Sequence, residues 1–143
     1  MENITLQLFV DNYTSDDFDK IKFAWNGEHG DKFVDTNYKF RIELCEFLTP
    51  KLDTIKLELL RDLYIELSKC AKEVWGVYKK YPLFAQQLLN RGGSDYIMDY
   101  LIGASQCFDT AIASGAISLT KDKKQDILNF ILNKIDTEKS KKK

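Results

Sequence analysis

From Leu52 to Tyr81, apolar residues return every three or four positions: Leu52, Ile55, Leu59, Leu63, Leu67, Cys70, Val74, Val77 and Tyr81. This is the period of a helix that buries one face. The same register carries on to Leu89, so the pattern predicts one long central helix. Pro50 opens it, where a missing N–H does little harm. Tyr81-Pro82 kinks or breaks it, and a short helix then runs to about Asn90. Leu60, Tyr64, Ala71, Trp75 and Tyr78 widen the apolar stripe, as expected for an element with several neighbours.

Around this centre the pattern is shorter. Residues 3–13 fit two periods: Ile4, Leu6, Leu8 and Val10 alternate as in a strand, whereas Leu6, Phe9, Val10 and Tyr13 fit a helix. The run from Tyr38 to Leu44 has the same ambiguity. Helices are expected in both places, with a small N-terminal β-ribbon as the alternative. Thr14-Ser15-Asp16-Asp17 reads as a helix start, with a hydroxyl cap and acids at the positive end of the dipole. That helix is expected to reach Trp25 and to stop at Asn26-Gly27. A polar loop follows to Asn37, then a helix from Tyr38 to Leu48. Ser94 is expected to cap one helix to Gly115, with Ile97, Leu101, Ala104, Phe108 and Ala111 on its buried face and small residues that allow a close neighbour. Thr120 should cap a last helix burying Ile127, Leu128, Ile131 and Ile135. The predicted fold is a single all-α domain of five to six helices over residues 1–136, and residues 137–143 form a Lys-rich tail that should fray.

Composition narrows the function classes. The chain has 143 residues, 44% of them hydrophobic, enough for a core without disulfides or metals. Lys and Arg number 21 and Asp and Glu 22, a balance that argues against a dedicated nucleic-acid binder. The charge is segregated, however. Residues 1–50 hold ten acids and five bases, whereas residues 51–143 hold twelve acids and sixteen bases. Cys45, Cys70 and Cys107 are far apart and match no zinc spacing. An odd cysteine count and an N-terminus without a basic leader region point to a cytoplasmic setting. No apolar stretch is long enough for a membrane span.

The candidate chemistry is sparse. Trp25, Glu28, His29 and Asp31 lie in one Gly-flanked loop that holds the only histidine. An acidic contact loop for a partner protein is the favoured functional reading, and an ordinary solvated turn is the plain one. Catalysis by His29 lacks a placed nucleophile or orienting group. Arg91-Gly92-Gly93-Ser94-Asp95 leads into a helix, but Asp95 would repel a phosphate and no P-loop lysine follows. Inward carboxylates with a Glu-x-x-His motif, the signature of a di-metal bundle, are missing. Trp75, Tyr78, Tyr81 and Arg91 suggest an aromatic-walled pocket.

The expectation is therefore a non-enzymatic interaction module without cofactor or metal, acting on a partner protein as antitoxin, immunity, inhibitor or regulatory accessory proteins do. The wide apolar face also leaves room for a homodimer. The alternative is a bundle that binds a small molecule or nucleotide.

Overall fold

In the computed structural model, which describes residues 2–74 and 76–141, the chain is all-α. Seven α-helices are formed among the described residues: α1 (Asn3–Asp11), α2 (Tyr38–Leu48), α3 (Leu57–Glu73), α4 (Tyr81–Gly92), α5 (Ile97–Ala104), α6 (Phe108–Gly115) and α7 (Lys121–Lys141). Both ambiguous N-terminal runs are helical, as expected. In α1, Leu6 and Val10 turn inward while Ile4 and Leu8 face solvent.

The helix expected from Thr14 to Trp25 is only a 3-10 turn, Ser15–Lys20. Its start is as read: Thr14 Oγ1 accepts from the Asp16 amide at 3.3 Å and Asp17 reaches back to the Thr14 amide at 3.1 Å. What stops it is competition for its backbone. Asn37 donates to the Asp19 and Lys22 carbonyls at 2.8 and 3.0 Å. Arg41 donates to the Ile21 and Lys22 carbonyls. The Phe23 amide donates to Glu66 and the Ala24 amide to Asp35, both at 3.0 Å. With these groups held by side chains from α2, α3 and the loop, a further helical turn has no free partners.

The central helix is present but shorter than the periodic run that announced it. Pro50 lies in a 3-10 turn, Thr49–Lys51, directly after α2. Leu52 and Ile55 are buried in the link that follows. Helix α3 is 17 residues long and ends where Val74 turns extended. Gly76 then takes φ 140°, a conformation other residues rarely adopt. Pro82 sits in the first turn of α4, so it starts a helix and kinks none. The apolar period passes through this turn because both helices face the same core. Leu59, Leu63 and Leu67 of α3 and Tyr81, Phe84 and Leu88 of α4 are all buried there.

The single helix expected from Ser94 to Gly115 divides into a 3-10 turn (Gly93–Tyr96), α5 and α6. Thr110 makes the break: its Oγ1 accepts from the Cys107 amide at 3.0 Å and donates toward the Ala104 and Cys107 carbonyls. Ser94 caps nothing, and its amide instead donates to Asp126 of α7 at 3.3 Å. Thr120 does cap α7, accepting from the Lys123 amide at 3.2 Å. Residues from Thr137 continue α7 to Lys141 as exposed turns, while Lys142 and Lys143 lie outside the described residues. The longest helix is thus α7, at the C-terminus, and α3 is the centre, touching α4, α5 and α6.

Candidate functional site

The loop with Trp25, Glu28, His29 and Asp31 is tied together by its own groups. Trp25 pairs as an isolated antiparallel bridge with Asp35. Asn26 holds the turn, its Oδ1 accepting from the Glu28 and Val34 amides at 3.1 Å and its Nδ2 donating to the Lys32 carbonyl at 2.8 Å. Gly27 and Gly30 supply the two positive φ values the turn needs. Trp25 Nε1 donates to the Glu28 carbonyl at 2.7 Å, and the His29 ring lies edge-on to the indole at 5.0 Å. His29 Nε2 sits 3.2 Å from Glu73 Oε2, an exposed pair of small energetic weight. The structure therefore brings Trp25, Glu28 and His29 together. Asp31 stays on the exposed edge, and the Trp25 indole N–H is already bonded.

Tyr78, Tyr81 and Arg91 do not converge on one pocket, and Trp75 lies outside the described residues. Tyr81 is fully buried in a polar seam between α3, α4, α5 and α6. Its hydroxyl donates to Ser68 Oγ at 2.7 Å and accepts from Ser114 Oγ at 3.0 Å. Tyr64 stacks on it at 5.1 Å and donates to the Tyr100 carbonyl at 2.8 Å, with Ser114 Oγ at 2.9 Å. Burial first, then the neighbouring Tyr81 hydroxyl, pushes the Tyr64 phenol above its ordinary value. Arg91 is structural too, donating to the Leu52 and Ile55 carbonyls at 2.8 and 2.5 Å and fixing the link before α3. Tyr78 belongs elsewhere, its hydroxyl bonded to Glu46 and Thr49 and its ring edge-on to Phe84 at 6.4 Å.

Arg41 and Asp35, which the sequence pattern did not single out, form a buried ion pair with both side chains 0% exposed. The signal was available: Arg41 occupies the inward face of α2 with Leu44, Cys45 and Leu48. A charge on a core face needs a partner, and charges in core positions are rare unless paired. Cys45 and Cys70 are buried nearby, and burial pushes both thiols up, with the Arg41 guanidinium opposing the shift.

The largest departure from expectation is the surface of α5, α6 and α7. Beside Ile97, the buried residues of α5 and α6 are small or polar: Gly103, Thr110 and Ser114. Gly103 is seated so closely on Tyr64 that a Cβ there would lie 2.3 Å from the ring. This orientation places Ile97 inward and sends Met98, Leu101 and Ile102 outward. Phe108 is 78% exposed and Ile112 57%. Leu101 and Phe108, expected in the core, are at the surface. On α7 only Ile127 is buried, against Leu89 and Ile97. Leu128, Ile131 and Ile135, also expected in the core, are exposed together with Leu132. Four apolar residues at spacings of three, one and three form a helical stripe that no element covers among the described residues.

Lysines continue the same stripe at both ends: Lys121 and Lys124 before it and Lys139 after it. Asp122, Asp126, Asn129 and Asn133 lie around the opposite side, and Glu138 is paired with Lys141 at 3.5 Å. Among the described residues no group of acids, histidines and cysteines is arranged to hold a metal, and no helix is long and apolar enough to cross a membrane. Comparison with protein-family models, curated proteins and solved structures finds no match to this chain.

Proposed function

We propose that this chain is a non-enzymatic protein-interaction module that acts by occupying a partner protein, as an inhibitor or regulatory subunit does. Its docking surface, in this reading, is the outward stripe of α7 rather than the Trp25–Asp31 loop. The observation that carries the reading is the inversion of polarity in this part of the fold: the inward face holds Gly103, Thr110 and Ser114, and the outward face holds Met98, Ile102, Phe108, Leu128 and Leu132. Contiguous exposed apolar surface rimmed by polar groups marks interaction sites. The occupant is a helix that lays an apolar stripe along α7 and carries acids at both ends of it. Charge complementarity with Lys121, Lys124 and Lys139 selects that chemistry.

The test is site-specific photocrosslinking in the native host, with the crosslinker at Leu132 and, as the control, at Asn133 on the other side of the helix. A crosslinked segment that maps at Leu132 alone to an apolar helix with acidic flanks is the expected result. A crosslink to a second copy of this chain, or equal labelling from both positions, contradicts the reading.

A further inference from the structure

Helices α5 and α6 carry a second exposed apolar face, separate from the α7 stripe. They are joined by the short link 105–107, and both pack on α3 and α4 and on each other. The faces they turn away from α3 and α4 therefore lie next to each other on one side of the molecule. Met98, Leu101 and Ile102 on α5 and Phe108 and Ile112 on α6 are exposed there. Spacings of three and four put each set on one helical face. Together they expose on the order of 500 Å² of apolar side chain, the size at which a patch marks an interaction site. The charge around them has one sign. From Gly92 to Thr120 the chain holds three acids, Asp95, Asp99 and Asp109, and no base. Arg61 of α3 lies near Asp99 but is bonded to Asp62 at 3.1 Å, and Lys123 of α7 sits by Gly93. Asp109, next to Phe108, has no ion pair among the described residues.

We propose that the outward face of α5 and α6 is a second docking surface, whose occupant is a partner-protein helix with an apolar stripe flanked by lysines or arginines. Two adjacent apolar helix faces accept the stripe of a third helix, which packs along the seam between them. The acidic rim selects bases beside that stripe and repels acids. A second copy of this chain fits less well on two counts. A stable symmetric pair buries about 800 Å² on each subunit, more than this patch offers. Isologous pairing would also bring one acid-rimmed face against another. The surface shares no residue with the α7 stripe, and its charge preference is the opposite of the one set there by Lys121, Lys124 and Lys139. A chain with both surfaces joins two partners and acts as an adaptor.

The experiment uses full-length protein with ¹³C-labelled Met and Ile methyl groups and two synthetic helical peptides. Both peptides carry the same leucine stripe, flanked by lysines in one and by glutamates in the other. The expected result is a saturable shift of the Met98, Ile102 and Ile112 methyls by the lysine peptide, with a Kd below about 100 μM. The glutamate peptide should bind at these methyls at least about fivefold more weakly. Ile112→Gln changes a residue that is 57% exposed, so the fold should be kept, and binding read at Met98 and Ile102 should fall at least about fivefold. The Ile131 and Ile135 methyls report the α7 stripe in the same spectra, so either surface can fail without the other. Absence of a shift at Met98 and Ile102, equal affinity for the two peptides, or binding undiminished in Ile112→Gln overturns the proposal. So do shifts at these methyls that grow with protein concentration alone, which would make the occupant a second copy.

Discussion

Gly103→Ala should destabilise the protein, although helix propensity alone predicts the reverse. A Cβ at residue 103 would lie 2.3 Å from Tyr64 Cε2, 2.7 Å from Cζ and 2.8 Å from Ser68 Oγ. Ordinary contact needs 3.4 Å or more, so the ring would have to retreat by about 1 Å. It has nowhere to go. Tyr64 is fully buried, stacked on Tyr81 at 5.1 Å and on Tyr100 at 6.0 Å, and its hydroxyl is bonded on the far side. Overpacking of this kind costs about 1–3 kcal/mol, and loss of alignment in the Tyr64–Ser114–Tyr81 network adds to it. The gain from replacing a helical glycine is at most ~1 kcal/mol, and less here because α5 ends at Ala104. The net expectation is a loss of about 1–2 kcal/mol, a drop in Tm of roughly 3–7 °C for a chain of this size. Urea denaturation of the purified variant measures it, with the midpoint falling at unchanged slope. A variant as stable as the parent, or more so, would refute the close seating of α5 on Tyr64. With that would go the orientation that turns Met98, Leu101 and Ile102 outward.

Asp35→Asn should cost about 3–5 kcal/mol in denaturant unfolding, because Arg41 would keep a buried charge without a counter-ion; a loss under about 1 kcal/mol would mean that the pair is hydrated. Ser114→Ala should cost about 1–3 kcal/mol, since Tyr64 and Tyr81 both lose a buried hydroxyl partner, and a neutral result in thermal unfolding would show the seam to be slack. Stability should be flat through neutral pH and fall as pH rises past 9.0 and then 10.0. The Cys45 and Cys70 thiols and the Tyr13 and Tyr64 phenols are held above those ordinary values in the fold, chiefly by burial, so the unfolded chain releases protons first. Urea midpoints measured from pH 7 to 11 check this, and a midpoint that rises across that range contradicts it.

The interior half of the fold was legible in the sequence because its helices bury conventional stripes. Leu59, Leu63 and Leu67 recur at fours and do face the core. The same period concealed the turn at Gly76, since Val77 and Tyr81 keep facing that core after α3 has ended. Periodicity reports which side is buried, not whether the axis is continuous. The early stop after Lys20 was not legible, because the groups that capture its carbonyls, Asn37 and Arg41, are distant in sequence. The C-terminal half misled for a different reason. Apolar residues at helical spacing predict a core face, yet Thr110, Ser114 and Gly103 occupy inward positions and Leu101, Phe108 and Leu128 outward ones. A sequence pattern marks a face that seeks cover; it does not say whether the cover comes from the same chain.

The most direct test of the central claim compares two variants against the partner that crosslinks at Leu132. Equilibrium binding is measured by calorimetry for the parent chain, Leu132→Asp and Trp25→Ala. Leu132 is 49% exposed, so Leu132→Asp should leave unfolding within about 0.5 kcal/mol of the parent. It should nevertheless weaken binding by about thirtyfold or more, the mark of an anchor worth about 2 kcal/mol. Trp25→Ala should bind within about threefold of the parent. Full affinity in Leu132→Asp together with a large loss in Trp25→Ala would contradict the account and return the contact to the N-terminal loop.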